Sequence, residues 1–189
     1  MEAADEQLMI AYRDGEAAAF ETLYARHKGP LFRFVLRSVK ARGEAEELFH
    51  DVWLKVIEAR ERYTPSARFT TWLYTIARNR VVDHWRRRGL KLTSLDTSNH
   101  SYDADDPPFE PAAAPQDEPQ RRAELNEQLR QLGAALEALP PAQREVFLLR
   151  EEAGLTLPEI AEVAGIDLEA AKSRLRYALA KLREALDDG

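Results

Sequence analysis

The densest chemistry in this 189-residue chain lies between Arg68 and Arg88, RFTTWLYTIARNRVVDHWRRR. Phe69, Trp72, Leu73 and Ile76 recur at i, i+3, i+4 and i+7, the spacing of a buried helical stripe. A second line, Tyr74, Ala77, Val81 and Trp85, runs beside it, with Arg78, Arg80, Arg86, Arg87 and Arg88 between and after. Core packing accounts for the first line. It does not account for five arginines and further rings on the same element. Guanidinium groups bind phosphates, and flat rings stack on unpaired bases.

Charge is distributed to match. The net charge of −6 hides a basic block at residues 62–93, where eight Lys or Arg face only Asp83. Directly after it, residues 94–119 carry seven acids, no Lys or Arg, and five of the ten prolines. Such local fields matter more for partner choice than the total does. The acidic stretch has no hydrophobic period and reads as an extended linker at residues 93–120, dividing a domain at 1–92 from one at 121–189. The chain has no cysteine, which suits a reducing compartment. Its acidic N-terminus has no apolar run, so neither a signal peptide nor membrane insertion is expected, and a cytoplasmic location follows.

The elements around the basic helix are helical throughout. Residues 5–14 form a short helix ended by Gly15. Residues 16–40 form a long amphipathic pattern that Gly29-Pro30 is expected to kink or divide. Residues 44–61 bury Leu48, Phe49, Val52, Trp53, Val56 and Ile57. In the second half, Leu125, Leu129, Leu132, Leu136 and Leu139 form a seam about two heptads long, too short for a coiled coil and better suited to packing within the chain. Pro140-Pro141 opens the next helix. The expected fold is all-α: two helical bundles joined by an acidic flexible linker.

The C-terminal bundle holds a second motif, LTLPEIAEVAGIDLEAAKSRLRYALAKLR, at residues 155–183. Thr156 and Glu159 have capping-box spacing. Gly165 supplies a left-handed turn, Ile166 plugs the corner, and Asp167 caps a new helix. Small Ala161 lets the two helices cross closely. This is a helix-turn-helix pattern, and its second helix bears Lys172, Ser173, Arg174, Arg176, Lys181 and Arg183.

Together the two motifs resemble the extracytoplasmic-function sigma factors of bacterial RNA polymerase, within the sigma-70 family. AEELFHDVWLKV followed by FTTWLYTIARNRVVDHWRRR resembles the second conserved region, and LPPAQREVFLLREEAGLTLPEIAEVAGIDLEAAKSRLRYALAKLRE the fourth. The resemblance implies a factor that binds core polymerase, directs it to promoters and helps melt them, with no cofactor and no catalysis. It implies contact with the beta-prime clamp helices through Glu44, Glu46, Glu47 and Asp51, and with the beta flap. It places Phe69, Trp72, Tyr74 and Asn79 near the unpaired downstream strand, with Arg78, Arg80, Arg86 and Arg87 on its phosphates. It places Lys172, Ser173, Arg174, Arg176 and Tyr177 at the upstream element. An anti-sigma factor is a further implied partner. The family's recognition helix usually opens with Gly-Thr-Val; here Glu169, Ala170 and Ala171 stand there.

The rival reading is a helix-turn-helix regulator that does not bind core polymerase, and it leaves the aromatic-basic helix idle. An enzyme is not indicated: His27, His50, His84 and His100 fall in no triad, and Glu46 with His50 lacks the further spacing of a metal site.

Overall fold

The structure, a computed structural model, describes residues 3–89 and 119–187. The described residues form α1 (Asp5–Arg13), α2 (Ala17–Val39), α3 (Arg42–Ala59), a 3₁₀ turn at Arg60–Arg62, and α4 (Phe69–Arg87). After the gap come α5 (Pro119–Ala138), α6 (Pro141–Glu151), α7 (Leu157–Ala164) and α8 (Leu168–Asp187). Nearly all of the expected linker lies outside the described residues.

The break expected at Gly29-Pro30 does not occur, and α2 runs through Pro30 as one helix. Proline removes one backbone bond and clashes with the preceding turn, at about 3 kcal/mol. Both halves nevertheless bury side chains in the same core, Ala19 and Leu23 before the proline and Leu31, Phe34, Val35 and Val39 after it. That shared burial holds the axis together. The helix ends at its C-cap Lys40, which takes a positive φ of 71°.

Helix α4 departs from its expected stripe. Phe69 and Leu73 are buried as anticipated, but Trp72 and Ile76 are only partly covered, whereas Tyr74, Ala77 and Val81 are buried. The reason is that α4 is packed on two sides, by α2 and α3 on one and by α7 on the other. Residues of α1 to α4 and of α6 to α8 accordingly share one apolar cluster. Aromatic rings fill its first half. Trp53 meets Tyr24 at 5.0 Å and Phe20 at 5.7 Å, both edge-on, and Phe34 meets Tyr74 edge-on at 5.3 Å. Edge-to-face geometry sets the positive ring edge on the negative face.

The leucine seam of α5 packs within the chain, as expected. Leu136 and Leu139 are buried with Ala178 and Leu182 of α8, while Leu125 at the other end is 46% exposed.

The start of α4 is held from a distance. Its N-cap Arg68 supplies no side-chain cap. Instead the Phe69 N–H donates to Glu6 Oε1 at 2.6 Å, from the first turn of α1. Beside it Asp5 accepts from Arg26 at 2.7 Å and lies 2.7 Å from His27 Nε2. An anion at a helix N-terminus is favoured by the axial dipole and satisfies an orphan donor. Glu6→Ala should therefore lower the unfolding free energy by about 1–2 kcal/mol, as loss of a good N-cap does. Chemical denaturation measures the loss, and amide exchange should speed first at Phe69.

Candidate nucleic-acid interface

Two lines run along α4. Trp72, Asn79 and Arg86 are seven residues apart, within about 20° of one line on a 3.6-residue helix. Asn79 and Arg86 are exposed and Trp72 is half-buried. The Trp72 ring leans on Tyr63 at 5.0 Å and Phe69 at 5.8 Å, so one face packs on the core. Arg86 pairs only loosely with Asp83, at 3.6 Å, and its side chain is 77% exposed. Arg87 is also exposed, and Arg80 partly so. This line offers a ring, an amide and cations to a ligand.

The other line faces inward. Phe69 is fully buried against His27, Tyr63 and Trp72, and Tyr74 is 1% exposed. Neither presents a face to a base in this conformation, against the expectation that both lie near an open strand. Burial pushes the Tyr63 phenol up to about 12. Burial, then the Glu152 charge, also raises the Tyr74 phenol, so both rings stay neutral. Arg78, expected on a phosphate, already holds Glu145 of α6 at 2.8 Å.

The acidic face of α3 divides as well. Glu44 accepts from His84 Nε2 and Arg88 Nη1 at 3.1 Å each, and its other oxygen lies 2.8 Å from Arg88 Nη2. It ties α3 to the end of α4 rather than facing outward. Glu46, Glu47 and Asp51 are exposed, and they line a shallow depression with His50. Glu46 also pairs along the helix with Arg42 at 3.1 Å.

The C-terminal motif has the expected local geometry. Thr156 Oγ1 accepts from the Glu159 N–H, while Glu159 Oε2 accepts from the Thr156 N–H at 2.7 Å, a reciprocal capping box. Gly165 takes φ 65°, ψ 39°, and the Ile166 N–H returns to the Ala161 carbonyl at 3.0 Å. Asp167 Oδ1 accepts from the Ala170 N–H at 2.7 Å, starting α8. Ala171 faces the core, fully buried. Lys172, Arg176 and Tyr177 are exposed, and Ser173 and Arg174 partly so. The Arg176 guanidinium lies 5.3 Å from the Tyr177 ring centroid, a cation–π pair. A helix presenting these groups from its first turns fits a major groove.

Family comparisons match both halves. The Sigma-70 region 2 model matches residues 23–90, and the Sigma-70 region 4 model matches residues 129–182. The RNA polymerase sigma factor CarQ of Myxococcus xanthus is 36% identical over 184 residues, 95% of this chain and 96% of CarQ. The ECF RNA polymerase sigma factor SigF of Caulobacter vibrioides is 31% identical, over 95% of this chain and 92% of SigF.

This chain belongs to the ECF sigma factors.

It is therefore a factor that initiates transcription, and the stand-alone regulator is set aside. The fold is shared with CnrH, solved with the cytosolic domain of CnrY, at TM-score 0.66 and 24% identity over 98% of this chain and 99% of that one. It is also shared with RpoE of Bartonella quintana, solved with the anti-sigma factor NepR, at TM-score 0.67 and 23% identity over 89% and 96%. Among the described residues, no helix is long and apolar enough to cross a membrane.

Sequence reasoning missed the groups that join the two regions. Glu152 lies 2.8 Å from Arg33 Nε and 4.0 Å from Arg37 Nε. Glu159 accepts from the Thr71 hydroxyl at 3.2 Å and lies 3.5 Å from Arg68. The one signal available was that Glu145, Glu152 and Glu159 follow each other at intervals of seven.

Burial raises the Glu159 carboxyl. Donation from the Thr156 N–H, the Thr156 hydroxyl and the Thr71 hydroxyl, with the Arg68 charge, outweighs it and holds the group below the ordinary 4.5. A carboxyl depressed by folding contributes stability that is present above 4.5 and lost as pH falls through the folded value. Acid titration followed by thermal unfolding should show this loss below 4.5. Glu159→Gln should flatten that part of the profile.

Proposed function

We propose that this sigma factor divides initiation among three faces. Glu46, Glu47 and Asp51 on α3 meet basic groups of the beta-prime clamp helices. The line Trp72, Asn79 and Arg86, with Arg80 and Arg87, takes the unpaired downstream strand. Lys172, Ser173, Arg174, Arg176 and Tyr177 read the upstream duplex. One observation carries the reading: α4 presents an exposed amide and exposed cations on the side that also shows Trp72. Nothing in fold stability requires that combination at a surface.

Melting without nucleotide hydrolysis must be driven by binding. Unstacking a base costs a few kcal/mol, and stacking on a ring returns about 1–3 kcal/mol per base. A single Trp72 face cannot offset the opening of several pairs, so phosphate contacts and the polymerase supply the rest. The α3 carboxylates steer a basic partner and weaken with salt. The factor acts in the cytoplasm with core polymerase and promoter DNA, without catalysis of its own. The solved relatives bound to CnrY and to the anti-sigma factor NepR support a protein inhibitor as a further partner.

Run-off transcription with core enzyme on genomic fragments tests the whole reading. Failure to form a binary complex with core polymerase would overturn it. Asn79→Ala and Trp72→Ala should leave core binding and upstream duplex binding intact while reducing open complexes. A pre-melted template should restore part of the loss. No restoration would place these residues in folding or in strand capture after melting.

For the upstream contact, Arg176→Ala should weaken promoter binding by about 1–3 kcal/mol if the guanidinium reads a base edge. Competition between specific and random duplexes makes the distinction. An equal loss on both would mark Arg176 as a phosphate contact.

A further inference from the structure

Helix α8 presents a carboxylate among the cations it offers to DNA. Glu169 and Arg176 are seven residues apart, within about 20° of one line on the helix. Ser173 lies beside that line, and the buried Ala171 and Ala178 lie on the far side. Glu169 is the only acid between Leu168 and Ala180, a stretch that also holds Lys172, Arg174 and Arg176. Its side chain is 83% exposed, and among the described residues it bonds only Lys172, whose Nζ donates to Oε1 at 2.8 Å.

Helix stability does not account for this carboxylate. An acid in a first turn complements the axial dipole. Asp167 already meets that need, because its Oδ1 accepts from the Ala170 N–H at 2.7 Å. The exposed pair with Lys172 contributes little. On a helix that approaches a duplex, a carboxylate is repelled by the phosphates. A hydrogen bond accepted from a base offsets that repulsion.

The major groove limits what that bond can be. An ionised carboxylate accepts and does not donate. Guanine offers O6 and N7 and thymine offers O4, all of them acceptors. Cytosine N4 and adenine N6 are amines that donate. The adenine amine has N7 beside it, an acceptor that repels the second carboxylate oxygen. Cytosine has no such neighbour, so it is the base that suits a carboxylate.

We infer that Glu169 is a specificity-determining residue of the upstream contact: its carboxylate, held by Lys172, accepts from the N4 amine of one cytosine and excludes guanine and thymine from that position. The inference rests on the proposed reading that α8 reads the upstream duplex in its major groove. Lys172 fixes the side chain and offsets part of the phosphate repulsion. Glu169 adds discrimination rather than general affinity, since a carboxylate has no attraction for the DNA backbone.

The test uses holoenzyme, the full chain with core polymerase. A promoter recovered by run-off transcription on genomic fragments is randomised through its upstream element, and sequencing of the bound DNA gives the base preference at each position. The unaltered factor should favour cytosine at one position on the order of tenfold. Glu169→Ala should remove that preference and leave the other positions as they were. Glu169→Gln should admit adenine there, because an amide pairs with N6 and N7 together. Replacing that cytosine by a pyrimidinone base without the exocyclic amine should weaken the unaltered factor by a similar factor and leave Glu169→Ala unaffected. Circular dichroism checks that the helices persist. An unchanged preference profile in Glu169→Ala overturns the inference, and so does a loss of affinity equal on all sequences, which would mark a structural role. In either case, continued selection at other upstream positions leaves the groove reading standing. No base preference anywhere in the upstream element overturns the groove reading, and the inference with it.

Discussion

Helix α4 has to satisfy two partners at once. On one side α2 meets Phe69 through His27 and the Tyr74 ring through Phe34; on the other, Glu159 of α7 takes the Thr71 hydroxyl and the Glu152 carbonyl at the end of α6 faces the Tyr74 hydroxyl. The exposed line Trp72, Asn79 and Arg86 is what remains after both demands are met. The chemistry available to nucleic acid is therefore set by subtraction. Arg86 and Arg87 are exposed and Arg80 partly so, while Arg78 is paired with Glu145.

The same economy governs charge. A protein of net charge −6 that handles DNA must keep its acids away from its cations or set them against each other deliberately. Both devices are present. On α8 the cations stand in the first turns with only Glu169 beside them, paired to Lys172 at 2.8 Å on the surface, where such a pair contributes little. At the contact between the regions, by contrast, Glu145 and Glu152 are largely screened from water, and their partners are half-buried. There the desolvation cost is substantial and only good geometry offsets it.

Several groups serve two purposes. Glu159 closes the capping box of α7 and reaches Thr71 and Arg68 of region 2. Glu44, on the helix whose outer face carries Glu46, Glu47 and Asp51, holds the C-terminal end of α4 through His84 and Arg88. Glu6 holds its N-terminal end. Helix α4 is thus tied at both ends by carboxylates from α1 and α3, so its exposed line is presented on a fixed axis.

How much of this was legible in the sequence depends on the range of the interaction. Local rules were sufficient for the all-α class, the helix-turn-helix with its Thr156–Glu159 box, the Gly165 turn and the Asp167 cap, and the membership of the basic helix, because each depends on residues within a turn or two. Tertiary structure decided the rest. Pro30 stays inside α2 because both halves share a core, which outweighs the lost backbone bond. Tyr74 and Phe69 are buried, and Glu44 is turned inward, because packing on a second side cannot be read from a period along one helix. The pairing of Glu145, Glu152 and Glu159 with Arg78, Arg33 and Arg68 joins residues 67 to 119 positions apart. Periodicity carries no information about that distance; only the folded chain brings those charges within reach.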